Sequence, residues 1–120
     1  MNPRSQEMNA LYGLGYDVAH EVVVPMTTLD EITRGIGDVS LLKLDVQGAE
    51  RAAIEGGSVT LAGTRWLLIE TNFRSHYEGD LLFPELHAML AERGFRLVGM
   101  SPPFMSSGVA VWADSLYEHA

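Results

Sequence analysis

The sequence predicts a three-layer α/β fold with a mostly parallel sheet whose last strand is antiparallel. Leu41–Val46, the central strand, and Trp66–Thr71 are apolar runs of the kind that forms buried parallel strands, and we expect them to be adjacent at the centre of the sheet. A helix-length segment separates them, and such a connection places successive strands side by side in the same direction. The final run, Val109–Ala113, follows the strand Phe95–Met100 after a loop that is too short for a parallel crossover.

Length and composition indicate one globular domain. A chain of 120 residues supports a single core, and a hydrophobic fraction of 47% is ordinary for such a domain. We expect the core to span residues 21–113, after a weakly ordered lead-in over residues 1–20 in which Gly13-Leu14-Gly15 forms a turn. The N-terminus lacks the apolar core of a signal peptide and no run approaches the roughly 18 residues that span a bilayer, so we expect a cytoplasmic protein without a membrane partner.

The charge and the lack of cysteine exclude several classes of function. The net charge is −8 and Lys43 is the only lysine, so the chain lacks the basic face that nucleic-acid binding requires. Without cysteine there is no disulfide framework, thiol nucleophile or cysteine-based zinc site. Nucleic acid is therefore not an expected partner.

The segment before the central strand predicts a strand followed by a short helix. Val22–Val24 is a β-branched run that Pro25 stops. Thr28 with Glu31 three positions later forms a capping box, and the helix that it starts ends near Gly35.

The segment after the central strand predicts further helices. Small residues at helical spacing indicate a helix over Gly48–Glu55, and Ser58 is expected to cap a further turn through Leu61. A polar loop then leads to a helix with Pro84 in its first turn and Gly94 at its C-terminal end. The apolar stripe of that helix consists of Phe83, Leu86 and Leu90.

Acidic side chains occur at the ends of both central strands. Because the carboxyl ends of parallel strands share one edge of the sheet, we expect Asp45 and Glu70 to lie about 5 Å apart, at the edge where ligands bind in open α/β sheets. Paired carboxylates raise each other's pKa and suit a hard cation or a shared hydroxyl. The structural alternatives are that Asp45 caps the following helix and that Glu70 is a solvated carboxylate at the rim.

Other polar residues surround this pair. Lys43, on the same strand face as Asp45, is expected to neutralise that acid rather than act as a base, because a lysine beside a carboxylate stays protonated. Asn72 ends the second strand. On the loop that follows, His76 and Tyr77 either line a substrate pocket, with His76 as a potential metal ligand, or lie exposed in solvent.

Two other sets of titratable residues are expected to be structural. Glu50 lies in the first turn of its helix, where the helix dipole favours an anion, so we prefer a structural role over a catalytic one. The histidines His20, His87 and His119 show no ligand spacing, and His87 is expected on the outer side of its helix.

These tracts together resemble the C-terminal portion of FkbM-family methyltransferases. The resemblance runs from about Val24 to Phe95, with a vaguer match to Ala113, and it is carried by VPMTTLDEI, LLKLDVQGAE, EGG, LLIETN and the step from FPEL to GF. The LDVQGAE core is fairly specific, although members of the family often have Glu where this chain has Gln47. The family uses S-adenosylmethionine on a Rossmann-like sheet to methylate oxygen, often on sugars or polyketide-type hydroxyls.

The resemblance implies the acceptor-side half of an O-methyltransferase. The glycine-rich loop of the family and the acid that holds the ribose lie upstream of the matching tracts, so the cofactor-binding residues are unknown here, and we expect no S-adenosylmethionine binding by this chain alone. The implied partners are a hydroxyl-bearing small molecule and either a second copy of the chain or a complementing N-terminal half. The implied catalytic residues are Asp45, Glu70 and Lys43, and the implied substrate-binding residues are His76, Tyr77 and Asn72.

Two other functions stay open at this stage. The chain can be a non-catalytic fragment or interaction module that retains the family fold. A weaker alternative is metal-assisted hydrolysis by Asp45, Glu70 and His76, which tight binding of a divalent cation would reveal. The preferred hypothesis assigns no metal.

Overall fold

A computed structural model describes residues 20–120 as one mixed β-sheet with helices packed on it. The predicted lead-in and its Gly13-Leu14-Gly15 turn lie outside the described residues, apart from His20. The helices are α1 (Leu29–Ile32), α2 (Glu50–Glu55), α3 (Ser58–Ala62) and α4 (Phe83–Ala91). The strands are β1 (Val39–Leu44), β2 (Thr64–Asn72), β3 (Phe95–Met100), β4 (Phe104–Ser106) and β5 (Val109–His119).

The strand pairing confirms the predicted parallel pair and the antiparallel last strand. β1 and β2 pair in parallel, from Val39 opposite Thr64 to Leu44 opposite Ile69. β5 runs antiparallel between β2 and β3, and β4 also pairs with β5. All the described strands except β5 therefore run in the same direction.

Two details of the predicted sheet are wrong. β1 lies at the edge of the described sheet rather than at its centre, because β5 returns from the end of the chain and occupies the other side of β2. Most of the strands point the same way, but β5, which runs in the opposite direction, lies between β2 and β3. Most of the hydrogen-bonded strand pairs are therefore antiparallel. The sheet is accordingly mixed.

The C-terminal hairpin is longer than the sequence predicts. β5 continues past Ala113 to His119, with alternate residues buried against the core. β4, which the prediction lacks, joins β5 through a turn at Ser107 and Gly108, whose φ angles of 50° and 77° suit a tight hairpin. Pro102-Pro103 separates β3 from β4, because proline has no backbone N–H to donate to a sheet ladder.

Val22–Val24 does not form the predicted strand. The run has no ladder partner within residues 20–120, and its three valines are exposed. β-branched residues favour strands where a neighbouring strand and a buried face are available, and this run has neither in the described structure. It therefore does not cover the edge of β1.

The core lies on one face of the sheet. Leu67 and Ile69 of β2 and Tyr117 of β5 are fully buried there, and Leu29 of α1 packs against them. Residues of α2, α3 and α4 belong to the same cluster, so all the described helices share this face. Those residues are Ile54, Leu61, Leu86 and Leu90. A helix layer on the second face, which the three-layer prediction requires, stays a prediction.

The ends of the helices follow the predicted signals. Thr28 and Glu31 make the two reciprocal hydrogen bonds of a capping box at α1, at 3.2 Å and 3.1 Å. Pro84 lies in the first turn of α4, and Gly94, with a φ of 85°, follows that helix. In the described part of the chain no helix combines the length and the apolar character that crossing a membrane demands.

His87 faces the sheet rather than the outer side of α4, contrary to the prediction. Its Nδ1 lies 3.2 Å from the Tyr117 hydroxyl, and its ring contacts Phe83. Burial raises the pKa of Tyr117 to about 12, so this hydroxyl keeps its proton at neutral pH. The contact belongs to the core and supports packing of α4 on β5.

Candidate functional site

The candidate site begins at the turn between β1 and α2. Asp45 follows β1 directly, and the chain then reverses through Gln47 and Gly48, whose φ angles are 50° and 95°. The Ala49 N–H donates to the Val46 carbonyl at 3.3 Å and closes the turn. A positive φ at a residue other than glycine is uncommon, and such residues cluster at functional sites.

Asp45 and Glu70 lie next to each other at the carboxyl ends of β1 and β2. The parallel register ends with Leu44 opposite Ile69, so the next residue of each strand is its neighbour across the ladder. Asp45 is exposed, whereas Glu70 is half-buried. The sheet thus brings the two predicted acids together.

Glu70 has a high pKa for a carboxylic acid. Burial disfavours its charged form, and the negative charge of Asp45 is the next largest cause. With smaller contributions from Glu50, Asp114 and Asp80, these effects raise the pKa of Glu70 to about 7. Near neutral pH such a group can both donate and accept a proton.

Glu50 has a structural position in the first turn of α2. Its side chain is buried and accepts a hydrogen bond from the Gly48 N–H at 3.1 Å. No side-chain hydrogen bond caps α2 at Ala49, so the alternative in which Asp45 caps this helix is wrong. The helix starts at Glu50 rather than at Gly48, because Gly48 belongs to the turn.

Gln47 connects Asp45 to the loop that follows β2. Its side-chain amide donates to Asp45 Oδ1 at 2.9 Å, and its Oε1 accepts a hydrogen bond from the Tyr77 hydroxyl at 2.9 Å. Sequence reasoning missed this role. The available signal was a residue before glycine, two positions after the acid that ends a strand, which is typical of a tight turn.

Lys43 is not the partner of Asp45 that the sequence predicts. It is exposed and lies opposite Leu68 in the strand register. No ion pair within residues 20–120 joins it to Asp45, which is bonded to Gln47 instead. The physical reason is the turn, which folds the glutamine side chain back onto the carboxylate.

The loop after β2 is packed rather than exposed. His76 and Tyr77 are both buried. Asp80 Oδ2 accepts hydrogen bonds from the backbone N–H groups of His76 and Tyr77, at 2.6 Å and 2.9 Å, which holds the loop in a tight turn. The Tyr77 ring lies so close to Gly48 that a Cβ there would be 2.8 Å from Tyr77 Cδ2. The alternative of a solvent-exposed His76 is therefore wrong.

Asn72 ends β2 with an unsatisfied polar atom. The residue is buried, lies opposite Trp112 of β5, and has no hydrogen-bond partner for its Oδ1. Oδ1 of Asp80 is likewise buried without a partner. Buried polar atoms without partners are rare in folded proteins, and a bound ligand is one explanation for them. Asn72 can accept a hydrogen bond from such a ligand.

The described residues hold no metal-binding cluster. No three His, Asp or Glu side chains within residues 20–120 are arranged to hold one metal ion. Asp45, Glu70 and His76 thus do not form the ligand set that metal-assisted hydrolysis needs. Nothing in the geometry of the described site supports that alternative.

The turn after β1 has no room for a ligand beside Gly48. It has the strand, glycine and helix order of a nucleotide-binding loop, in which the ligand approaches the glycine backbone closely. Here the Tyr77 ring and Asp80 Oδ1 lie within 3.0 Å of the position that a Cβ on Gly48 would take. Because these side chains fill the space, a ligand cannot approach the backbone of this glycine.

Two clefts of the described structure open at the other end of the sheet. One, of about 600 Å³, is lined by residues of α1 and α3 and by Gly63, just before β2. The other, of about 390 Å³, is lined by residues of α3, by Arg93 just before β3, and by His119 at the end of β5. Asp45 and Glu70 line neither of these two clefts.

The fold and the site define a class of protein: an α/β domain with adjacent carboxylates at the carboxyl ends of a parallel strand pair, one of them with a pKa of about 7. Comparison with family models matches residues 2–97 to the methyltransferase FkbM domain, which is well over half of the chain. The chain belongs to the FkbM methyltransferase family, as its LLKLDVQGAE tract implies.

A curated relative is similar to part of the chain. The 2-O-methyltransferase NoeI of Sinorhizobium fredii (strain NBRC 101917 / NGR234) is 37% identical over 68 residues. That alignment covers 57% of this chain but 27% of NoeI, so the chain matches about a quarter of the relative's length. No solved structure matches the chain.

Proposed function

We propose that this chain is the acceptor-side half of an S-adenosylmethionine-dependent O-methyltransferase. The described sheet is then the second half of a three-layer, Rossmann-like sheet, and another segment supplies the glycine loop and the ribose-holding acid. The observation that carries the proposal is the adjacent pair of Asp45 and Glu70 in a chain of a methyltransferase family.

Asp45 is proposed to accept the proton of the substrate hydroxyl. Its carboxylate is exposed, and the hydrogen bond from Gln47 occupies Oδ1, so Oδ2 is available to a ligand. A carboxylate beside the reacting oxygen orients the hydroxyl and receives its proton as the oxygen becomes nucleophilic. Glu70, with a pKa of about 7, shares the same hydroxyl as a donor or an acceptor.

The remaining predicted residues have supporting roles in the proposal. Lys43 is proposed to place a positive charge near the acidic pair without an ion pair to Asp45. Asn72 offers its unsatisfied Oδ1 to a second substrate hydroxyl. The buried loop residues His76 and Tyr77 shape that side of the acceptor site.

The proposed acceptor is a small molecule with free hydroxyl groups, such as a sugar or a polyketide-type compound. The printed name of NoeI, a 2-O-methyltransferase, supports oxygen as the methylated atom. A net charge of −8 disfavours a nucleic-acid acceptor. We also propose that the protein works in the cytoplasm.

The proposed partner of the chain is a complementing N-terminal half or, failing that, a second copy of the chain. β1 is the edge of the described sheet, with Leu41 exposed and no proline along the strand. An apolar edge with unpaired backbone groups favours addition of another strand.

A non-catalytic module is the second candidate. The observation that favours it is the filled space beside Gly48, which leaves no room for a ligand at the turn after β1. A module of this kind keeps the packed site but needs neither Asp45 nor Glu70 for chemistry.

The test of the enzyme proposal uses a complete enzyme that contains this half. Asp45→Asn keeps the shape of the side chain and removes its basicity, so turnover should fall about 10²-fold or more with cofactor affinity nearly unchanged. Asp38→Asn, an exposed acid before β1, is the control and should keep full turnover. Unchanged turnover in Asp45→Asn would reject the catalytic role.

A separate experiment tests the split between the two halves. Titration of S-adenosylmethionine into the isolated chain by calorimetry should give no measurable heat of binding, because the proposed cofactor site, a glycine loop and a ribose-holding acid, lies on another segment. Micromolar binding by a stable monomer would show that the chain carries the cofactor site, and the assignment of halves would then be wrong.

A further inference from the structure

The structure assigns Gln47 as a positioning residue that fixes the Asp45 carboxylate through a hydrogen-bonded relay from Tyr77. The inference rests on the function proposed above, because it names how the proposed base is held. The relay consists of two hydrogen bonds of 2.9 Å that meet on one amide group.

The chemistry of the three groups fixes the direction of the relay. An ionised carboxylate only accepts hydrogen bonds, so the amide of Gln47 must present its NH₂ group to Asp45. That orientation leaves Oε1 on the other side, where the Tyr77 hydroxyl donates to it. A glutamate at position 47 cannot reproduce this arrangement when ionised, since it has no donor and places a second negative charge beside Asp45.

The backbone of Gln47 indicates that its side chain is held for a reason. Its φ of 50° lies in the left-handed region, which glycine and asparagine adopt more easily than glutamine does. Asparagine and glycine side chains are too short to span the distance between Asp45 and Tyr77. The two hydrogen bonds of the longer side chain offset the unfavourable backbone conformation.

The far end of the relay is rigid. Tyr77 is buried, its ring packs on Gly48, and its backbone N–H donates to Asp80 Oδ2 at 2.9 Å. Asp45, at the near end, is exposed and free of ion pairs in the described structure. Without the relay an exposed aspartate samples several rotamers, so the packed loop restrains it through Gln47.

Several charged groups lie near the acidic pair. The charges of Asp45, Glu50, Asp114 and Asp80 act on Glu70, and Lys43 lies two residues before Asp45. The Gln47 amide is the hydrogen-bond donor to Asp45 in the described structure.

The first test measures hydrogen exchange of the Gln47 side-chain amide by NMR in the full 120-residue chain. Asp45→Ala removes the acceptor and Tyr77→Phe removes the hydroxyl while keeping the ring on Gly48. Asp45→Ala should speed exchange of the Gln47 amide about fivefold, and Tyr77→Phe should speed it measurably. The control Asp114→Asn, on β5, should leave it unchanged. Equal exchange in all variants would overturn the relay.

The second test separates positioning from stability. In a complete enzyme, Gln47→Asn tolerates the positive φ but is too short for the relay, so it should lower kcat about tenfold with little change in KM. Full kcat in the folded Gln47→Asn enzyme would overturn the positioning role.

The two proposals fail in different ways. If the amide exchange responds as expected but Asp45→Asn keeps full turnover, the relay exists and the catalytic proposal is wrong. If Asp45→Asn abolishes turnover but amide exchange is insensitive to Asp45 and Tyr77, the catalytic proposal stands and the relay is wrong.

Discussion

Burial and neighbouring acids disfavour the charged form of Glu70, so the stability of the folded protein depends on pH. Its pKa rises from 4.5 to about 7 because of burial first and of Asp45 second. Between those pH values the folded protein holds a proton that the unfolded chain has released, so stability falls as the pH rises through this window. Below it, both states are protonated and the effect vanishes.

Glu70→Gln should therefore remove this loss of stability. We expect the variant to unfold at a higher urea concentration than the wild type at pH 8, and at nearly the same concentration at pH 4. Urea denaturation at the two pH values measures the difference. Glu92→Gln, which replaces an exposed carboxylate after α4, serves as the control. The same pH dependence in Glu70→Gln and wild type would contradict the assigned pKa.

Gly48 shows how one residue determines the shape of the site. Its φ of 95° suits glycine, and a Cβ there would meet Tyr77 and Asp80 within 3.0 Å. Gly48→Ala should therefore cost about 2–4 kcal/mol of unfolding free energy, from both backbone strain and steric overlap.

Gly35→Ala is the matched control for this prediction. Gly35 has a φ of 82° but no atom within 4 Å of its Cβ position, so the substitution should cost about 1 kcal/mol from the backbone alone. Urea denaturation of the two variants isolates the packing of Tyr77 on the turn. If the two variants lose the same unfolding free energy, the Tyr77 ring moves away from the added methyl group without an energetic cost.

At the scale of elements, α3 is capped by a residue of α1. The N-cap of α3 is Gly57 rather than the predicted Ser58, and Gly57 has no side chain that could cap the helix. Asp30 instead accepts hydrogen bonds from the Val59 N–H at 3.1 Å and the Thr60 N–H at 2.8 Å. The Thr60 hydroxyl also donates to Asp30, at 2.7 Å. These bonds, with the hydroxyl bond first, lower the pKa of Asp30 below 3.8.

Asp30→Asn should lower the thermal midpoint at pH 7 by roughly 3–6 °C, because the caps of α3 weaken. The contribution of the charged Asp30 is present above pH 3.8 and is lost as the pH falls through the folded pKa, so the difference should shrink in acid. Circular dichroism melts at pH 7 and pH 3 measure it, with Asp38→Asn as the control. If Asp30→Asn lowers the thermal midpoint by the same amount at pH 7 and pH 3, the charged Asp30 does not cap α3.

At the scale of the whole molecule, the described sheet ends on an unprotected edge. β1 has one partner strand within residues 20–120, and Leu41 is 57% exposed. Such edges promote pairing between chains, so the isolated chain should dimerise or aggregate. The same unpaired edge of β1 is where we propose that a complementing half docks.

Leu41→Lys should reduce this association, because a charged side chain beside an edge strand opposes pairing with another strand. Light scattering over a range of protein concentrations should show a smaller mean mass than for wild type. Val59→Lys alters an exposed valine on α3, away from β1, and should leave the mass unchanged. A wild-type chain that stays monomeric would rule out association through the edge.

The sequence alone determined the local elements and the acidic pair. The Thr28 capping box, the Pro84 helix start and the parallel pair of apolar strands follow from short-range chemistry. Because parallel neighbours end at one edge, Asp45 and Glu70 also had to meet. Each of these features depends on residues close in sequence or on one predictable strand pair.

The tertiary structure alone decided which strand lies beside which and what holds the site. The insertion of β5 next to β2 depends on contacts between distant segments, and no local pattern encodes them. Val22–Val24 has strand propensity but no described partner, so propensity failed there. The bonds of Gln47 to Asp45 and Tyr77 span the turn and a loop about 30 residues later, so their partners become visible once the chain is folded.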